Sequence, residues 1–267
     1  MKKNITGLLA GIILLSACAT TKKTESTSLA NGGKIWSALW QQRAAEYKAL
    51  CFQAYNIARL RLNEAVRQPG GKPLAIVTDI DETLLDNSPY DAMRAAQNQE
   101  YTGETWKAWT AKAQADTVPG APSFLKYAAS KGVAVFYITN RDQDEMAGTL
   151  KNLKKFNLPD ADESHLFLKQ GNSSKESRRL TVLSTYNIVL LCGDNLPDFD
   201  ALYDSHPTEE NRSAITEQLK KEFGDKYIVL PNPSYGDWEG ALFNYDYKLT
   251  HAQKDSVMRA KLKVDKQ

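Results

Sequence analysis

Five short stretches of this chain are almost wholly apolar and end in turn residues: 74–81, 133–138, 165–169, 187–192 and 227–230. Runs of that length and composition predict strands buried on both faces. Helical periodicity fills the gaps. Pro119-Gly120-Ala121-Pro122 opens a predicted helix through Ala129, which Gly132 stops. Further helices are predicted over 143–155, from Lys175 to about Leu183, and over 207–223. Upstream, Trp36, Leu39, Trp40, Tyr47, Leu50, Cys51, Ala54, Tyr55, Ala58 and Leu62 recur every three or four residues. That spacing predicts one long amphipathic helix over 34–66, ended by Pro69-Gly70-Gly71. Residues 87–118 carry no strong strand pattern and are expected to form a mainly helical cap over the strand tips. Strands alternating with helices predict an α/β fold, a mainly parallel sheet flanked by helices with its site beyond the carboxyl ends of the strands.

The N-terminus breaks this pattern. Lys2 and Lys3 precede an apolar stretch from Ile5 to Leu15, followed by Leu15-Ser16-Ala17-Cys18. Residues 1–17 therefore read as a secretory signal. The ending resembles a bacterial lipobox, which implies cleavage before Cys18 and lipidation of that cysteine, with fatty acyl chains (palmitate among them) as a membrane anchor. Ala19 rather than Asp after the cysteine fits outer-membrane sorting in the cell envelope. Residues 18–33, polar and small, read as a lipidated tether, and 34–267 as a single domain. With Cys18 lipidated, Cys51 in a helix and Cys192 in a central strand are expected to be buried free thiols.

Composition adds limits. The chain has 267 residues, 42% hydrophobic and 25% charged, as in a soluble globular domain. Its net charge of +2 falls to zero without Lys2 and Lys3, which argues against a nucleic-acid polymer as partner. Oligomeric state is left open, with a homodimer as one candidate.

The candidate chemistry lies where strands end. The first delivers Asp79 and Asp81, two positions apart and so expected on one strand face, where like charges need a cation or a proton between them. The second ends in Thr139 and Asn140, Lys175 follows the third, and the fourth ends in Gly193-Asp194-Asn195-Leu196-Pro197-Asp198. Acids for a metal, with a cation and hydroxyl and amide donors for an anion, suit phosphoryl transfer with a hard divalent ion such as Mg2+.

Asp79-x-Asp81-x-Thr83, Thr139, Lys175 and Gly193-Asp194-x-x-x-Asp198 resemble the four motifs of the haloacid dehalogenase superfamily in its four-aspartate phosphatase form. More narrowly, residues 79–90 and 189–199 resemble the two signatures of bacterial class C acid phosphatases, the family of the 5'-nucleotidase lipoprotein e. Leu84 departs mildly from the expected Val or Met. The resemblance implies a haloacid dehalogenase-like, Rossmann-like fold and an Mg2+-dependent acid phosphatase acting on phosphomonoesters, above all nucleoside 5'-monophosphates. It implies Asp79 as nucleophile and Asp81 as general acid and base. It places Mg2+ on Asp79, Asp194, Asp198 and the main-chain oxygen of Asp81, and phosphate on Thr139, Asn140 and Lys175. Trp106 and Tyr235 match positions that could stack on a nucleobase. Rival readings are phosphotransfer to an alcohol at the same site, or a surface-binding lipoprotein with a vestigial site.

Overall fold

Residues 28–68 and 70–265 are described by a computed structural model. The signal 1–17, Cys18 and the tether as far as residue 27 lie outside the described residues. No described helix is long and apolar enough to cross a membrane.

The helices are α1 Leu29–Arg43, α2 Ala45–Val66, α3 Ser88–Ala96, α4 Gly103–Thr110, α5 Ala121–Ser130, α6 Met146–Lys155, α7 Glu176–Thr185, α8 Glu209–Gln218, α9 Asp237–Leu242 and α10 His251–Lys261. The strands are β1 Leu74–Thr78, β2 Leu85–Asp86, β3 Asp116–Thr117, β4 Ala134–Ile138, β5 Leu166–Phe167, β6 Asn187–Gly193 and β7 Tyr227–Val229. Five of these form one parallel sheet in the order β5-β4-β1-β6-β7, with β1 at the centre. β2 and β3 pair antiparallel, Leu85 opposite Thr117.

Strand alternation builds two cores. Ile76, Val135, Tyr137, Leu190, Cys192 and Ile228 face α2, α5 and α6, where Leu62, Phe124 and Leu153 pack. Ala75, Val77, Phe136, Ile138, Ile188 and Leu191 face the opposite layer, which includes Val182 of α7 and Phe199. A fully buried Leu such as Leu62 contributes about 1.5–3 kcal/mol of transfer free energy. Cys51 and Cys192 are buried free thiols, as expected.

Two expectations at the N-terminus change. The single helix over 34–66 is two helices, because Ala44 is extended (φ −81°, ψ 129°). The halves serve different surfaces: α1 packs on α3 and α10, whereas α2 packs on the sheet and α5. Trp40 and Tyr47 meet edge to face across the break at 5.3 Å. The predicted tether also ends earlier than residue 33. Ser28 caps α1 by accepting the Asn31 N–H at 3.2 Å, and the Leu29 N–H donates to Asp255 at 2.9 Å. These contacts hold Gly32 and Gly33 in helix against their weak propensity.

Candidate active site

β1 ends at Thr78, and the Asp79 N–H donates to the Cys192 carbonyl of β6 at 2.9 Å. That bond sets Asp79 beside the end of β6, where Asp194 and Asp198 follow. Carboxylate oxygens of Asp79, Asp194 and Asp198 lie within 4.8 Å of one another. Lys175, 4% exposed at the entry to α7, contacts Asp79 and reaches Asp198 Oδ1 at 2.7 Å. Lys169, just after β5, is instead paired with Asp142 at 2.6 Å.

Burial dominates the electrostatics. It raises Asp79 from its ordinary 3.8 to about 7; Lys175 opposes the shift, and Asp198 and Asp81 add to it. Asp194 is pushed well above the usual carboxylate range by burial and by Asp198 and Asp79, against the Asn232 amide, which donates to it at 2.7 Å. Lys175 is depressed by burial, but Asp198 and Asp79 outweigh this and leave it raised. Three facing carboxylates against one ammonium suit a hard divalent cation with oxygen ligands. Thr83 donates to Asp194 Oδ1 at 3.3 Å and so braces this group.

Gly193 permits the cluster for a spatial reason. A Cβ there would lie 2.5 Å from the Asp198 Cβ. Gly193→Ala is therefore expected to displace Asp198, costing about 1–3 kcal/mol of stability and about 100-fold in kcat. Thermal unfolding and initial rates check this, and a fully active variant would contradict the tight approach.

Asp81 does not share the Asp79 environment. The β1 ladder stops at Thr78, and beyond it the two carboxyls have different partners, although Asp81 is near enough to raise Asp79. The Asp81 carboxyl is gripped by Arg141, with Nη2 to Oδ1 at 2.7 Å and Nε to Oδ2 at 3.1 Å, and by the Asn87 amide at 2.8 Å. The two acids thus pair with different cations, Asp79 with Lys175 and Asp81 with Arg141. With its side chain so engaged, Asp81 has its main-chain oxygen to offer an ion.

Asn87 also accepts from the Trp109 indole at 2.8 Å and donates its N–H to Glu82 Oε1 at 2.7 Å. Glu82 is buried in the left-handed region (φ 53°) and is raised well above its ordinary range by burial, Asp91 and Asp81. Tyr235 donates its hydroxyl to Glu82.

The end of β4 completes the rim. Thr139 is buried and its Oγ1 accepts from the Arg141 N–H at 3.2 Å, while Asn140 is exposed. Arg178 clamps both, donating to the Thr139 carbonyl at 2.6 Å, Asn140 Oδ1 at 2.7 Å and the Ser174 carbonyl at 2.9 Å. Trp106 lies edge to face with Tyr90 at 5.2 Å, and the Arg141 guanidinium stands 5.7 Å from its ring centre. Trp106 and Tyr235 therefore approach the Asp81 loop from different elements, one through Arg141 and the other through Glu82. Trp109 and Tyr90 have packing duties, since Tyr90 is buried with its hydroxyl against Thr105 at 2.9 Å.

Arg141, Arg178, Asn87, Glu82 and Asn232 are site residues that the sequence pattern does not single out. Arg141 had one signal: it directly follows Thr139-Asn140 at the end of an apolar strand.

A central parallel sheet bearing aspartates, a threonine and a lysine at its carboxyl rim defines a phosphatase of the haloacid dehalogenase type. Residues 19–238 match the family described as HAD superfamily, subfamily IIIB (acid phosphatase), and the chain belongs to that family. It is similar to the class C acid phosphatase from Bacillus anthracis, at 40% identity over 89% of this chain and 99% of that one, with a TM-score of 0.85. The tungstate-bound structure of that enzyme gives a TM-score of 0.84. The stem 31 kDa glycoprotein of Glycine max is 28% identical over 162 residues, and the match spans 57% of that protein.

Proposed function

We propose that this chain is an Mg2+-dependent phosphomonoesterase of the cell envelope, anchored by lipid at Cys18, that hydrolyses nucleoside 5'-monophosphates through an aspartyl-phosphate on Asp79. The observation that supports the mechanism is that two acids two residues apart have different partners. Asp79 sits with Lys175 and two further carboxylates, and Asp81 is held by Arg141.

In this reading the Asp79 carboxylate attacks phosphorus and displaces the alcohol. Asp81 gives a proton to the leaving oxygen, then takes one from the water that releases phosphate. Lys175, Thr139 and the Asn140 amide hold the phosphoryl oxygens. Asp79, Asp194, Asp198 and the Asp81 main-chain oxygen would hold Mg2+, which supplies charge neutralisation for the phosphoryl group. Tungstate on the Bacillus anthracis relative supports the reading, since tungstate is a tetrahedral oxyanion like phosphate.

Nucleotide preference rests on Trp106 and Tyr235. Stacking on a base contributes about 1–3 kcal/mol, so Trp106→Leu is expected to raise KM for a nucleoside 5'-monophosphate by about tenfold. KM for a small alkyl phosphate should change by less than about twofold, and equal rises for both would remove the base-stacking role. In the same assay with an added nucleoside acceptor, free phosphate is expected to dominate. A dominant transferred ester would make the protein a phosphotransferase.

A further inference from the structure

Arg141 is 3% exposed, and each of its three guanidinium nitrogens donates to a side chain. Nη2 and Nε form a fork on Asp81, Nη1 donates to Thr149 Oγ1 at 3.0 Å, and the Trp106 ring lies 5.7 Å away. Thr149 in turn donates to the Glu145 carbonyl at 2.8 Å, which fixes the far end of the fork to α6. The two oxygens of Asp81 are treated unequally. Oδ1 accepts from Arg141 Nη2 at 2.7 Å, from the Asn87 amide at 2.8 Å and from Arg141 Nε, shared with Oδ2, at 3.2 Å. Among the described residues, Oδ2 accepts only from Nε, at 3.1 Å.

We propose that Arg141 is the positioning residue for Asp81: with Asn87 it fixes the Asp81 carboxyl in one orientation, with Oδ1 held by three donors and Oδ2 the less engaged oxygen. This rests on Asp81 being the general acid. As the ester P–O bond breaks, its electron pair passes to the leaving oxygen and the proton given by Asp81 bonds to that oxygen. Asp81 is left as a carboxylate, the form that a guanidinium fork holds best. Trp106 flanks the guanidinium on the cap side, so the cap touches the proton-transfer apparatus as well as the substrate.

The test is leaving-group dependence in kcat/KM, which covers steps only up to departure of the alcohol. Nitrophenolate leaves without a proton, and an alkoxide does not. In the purified chain with Mg2+, Arg141→Gln is expected to lose about 10- to 100-fold on an alkyl phosphate and less than about threefold on 4-nitrophenyl phosphate. Because Arg141 is buried, Arg141→Lys is measured alongside, with thermal unfolding for each. Lysine keeps the charge but not the fork, so it should show the same bias with a smaller loss. Equal losses on both substrates in a folded variant, or no loss on the alkyl ester, would overturn the proposal. Asp81→Asn separates the two levels: if it lacks the leaving-group bias, the general-acid assignment itself fails.

Discussion

Asp79→Asn is expected to lower kcat by at least about 10⁴-fold while leaving the fold intact. An amide fills the same volume, and its carbonyl oxygen can still accept from Lys175. What it cannot do is form an acyl-phosphate by attack on phosphorus. Rapid acid quench of the wild-type chain during turnover should trap phosphate on the protein, and the variant should trap none. Residual turnover above about 1% of wild type would overturn the nucleophile assignment. Asp194→Asn makes a useful contrast, since its loss should be partly recovered by raising the concentration of the divalent ion.

Removal of the divalent ion is expected to have an effect of similar size, and its stability signature has a definite sign. Asp79 in the ion-free fold is raised from 3.8 to about 7, chiefly by burial. Between those values the folded chain holds a proton that the unfolded chain has released. The contribution of Asp79 to stability is therefore fully present below pH 3.8 and is lost as pH rises through about 7. A bound cation stabilises the ionised form and reverses that loss. Chelation should thus lower Tm more at pH 8 than at pH 5, and readdition of Mg2+ should restore both Tm and activity. At a free ion concentration of about 100 Kd the added stability is about 2.7 kcal/mol. Equal Tm changes at the two pH values would mean that the ion sits away from Asp79.

Much of this was legible in the pattern of residues because local chemistry wrote it there. β1, β4 and β6 read as strands because apolar runs are cut off by turn residues. The acids after β1 and β6 stand out because they interrupt apolar runs, although Asp198 also accepts the Asn195 N–H at 3.0 Å in a local cap. The rest depends on distant partners. No residue near Ala44 announces a break, which comes from α1 and α2 packing on different surfaces. The environment of Asp81 could not be read from Asp79 two residues earlier, because it is set by Arg141, 60 positions later in the chain. Lys169 and Lys175 look alike in sequence and are told apart by the carboxylates they meet. α10 is a different case, because its capping box, Thr250 with Gln253, is a sequence signal.

The Arg178 clamp carries a consequence for how substrate range can change. One guanidinium joins the end of β4 to the loop before α7, so the two walls that bear Thr139 and Lys175 are riveted together. In the proposed mechanism the phosphate seat would then be a fixed socket, indifferent to what the phosphate is attached to. In that reading, discrimination among alcohols would fall to the segments that carry Trp106 and Tyr235, α4 and the 231–238 loop. Those segments can be exchanged, by evolution or by an engineer, without retuning the reaction beneath them.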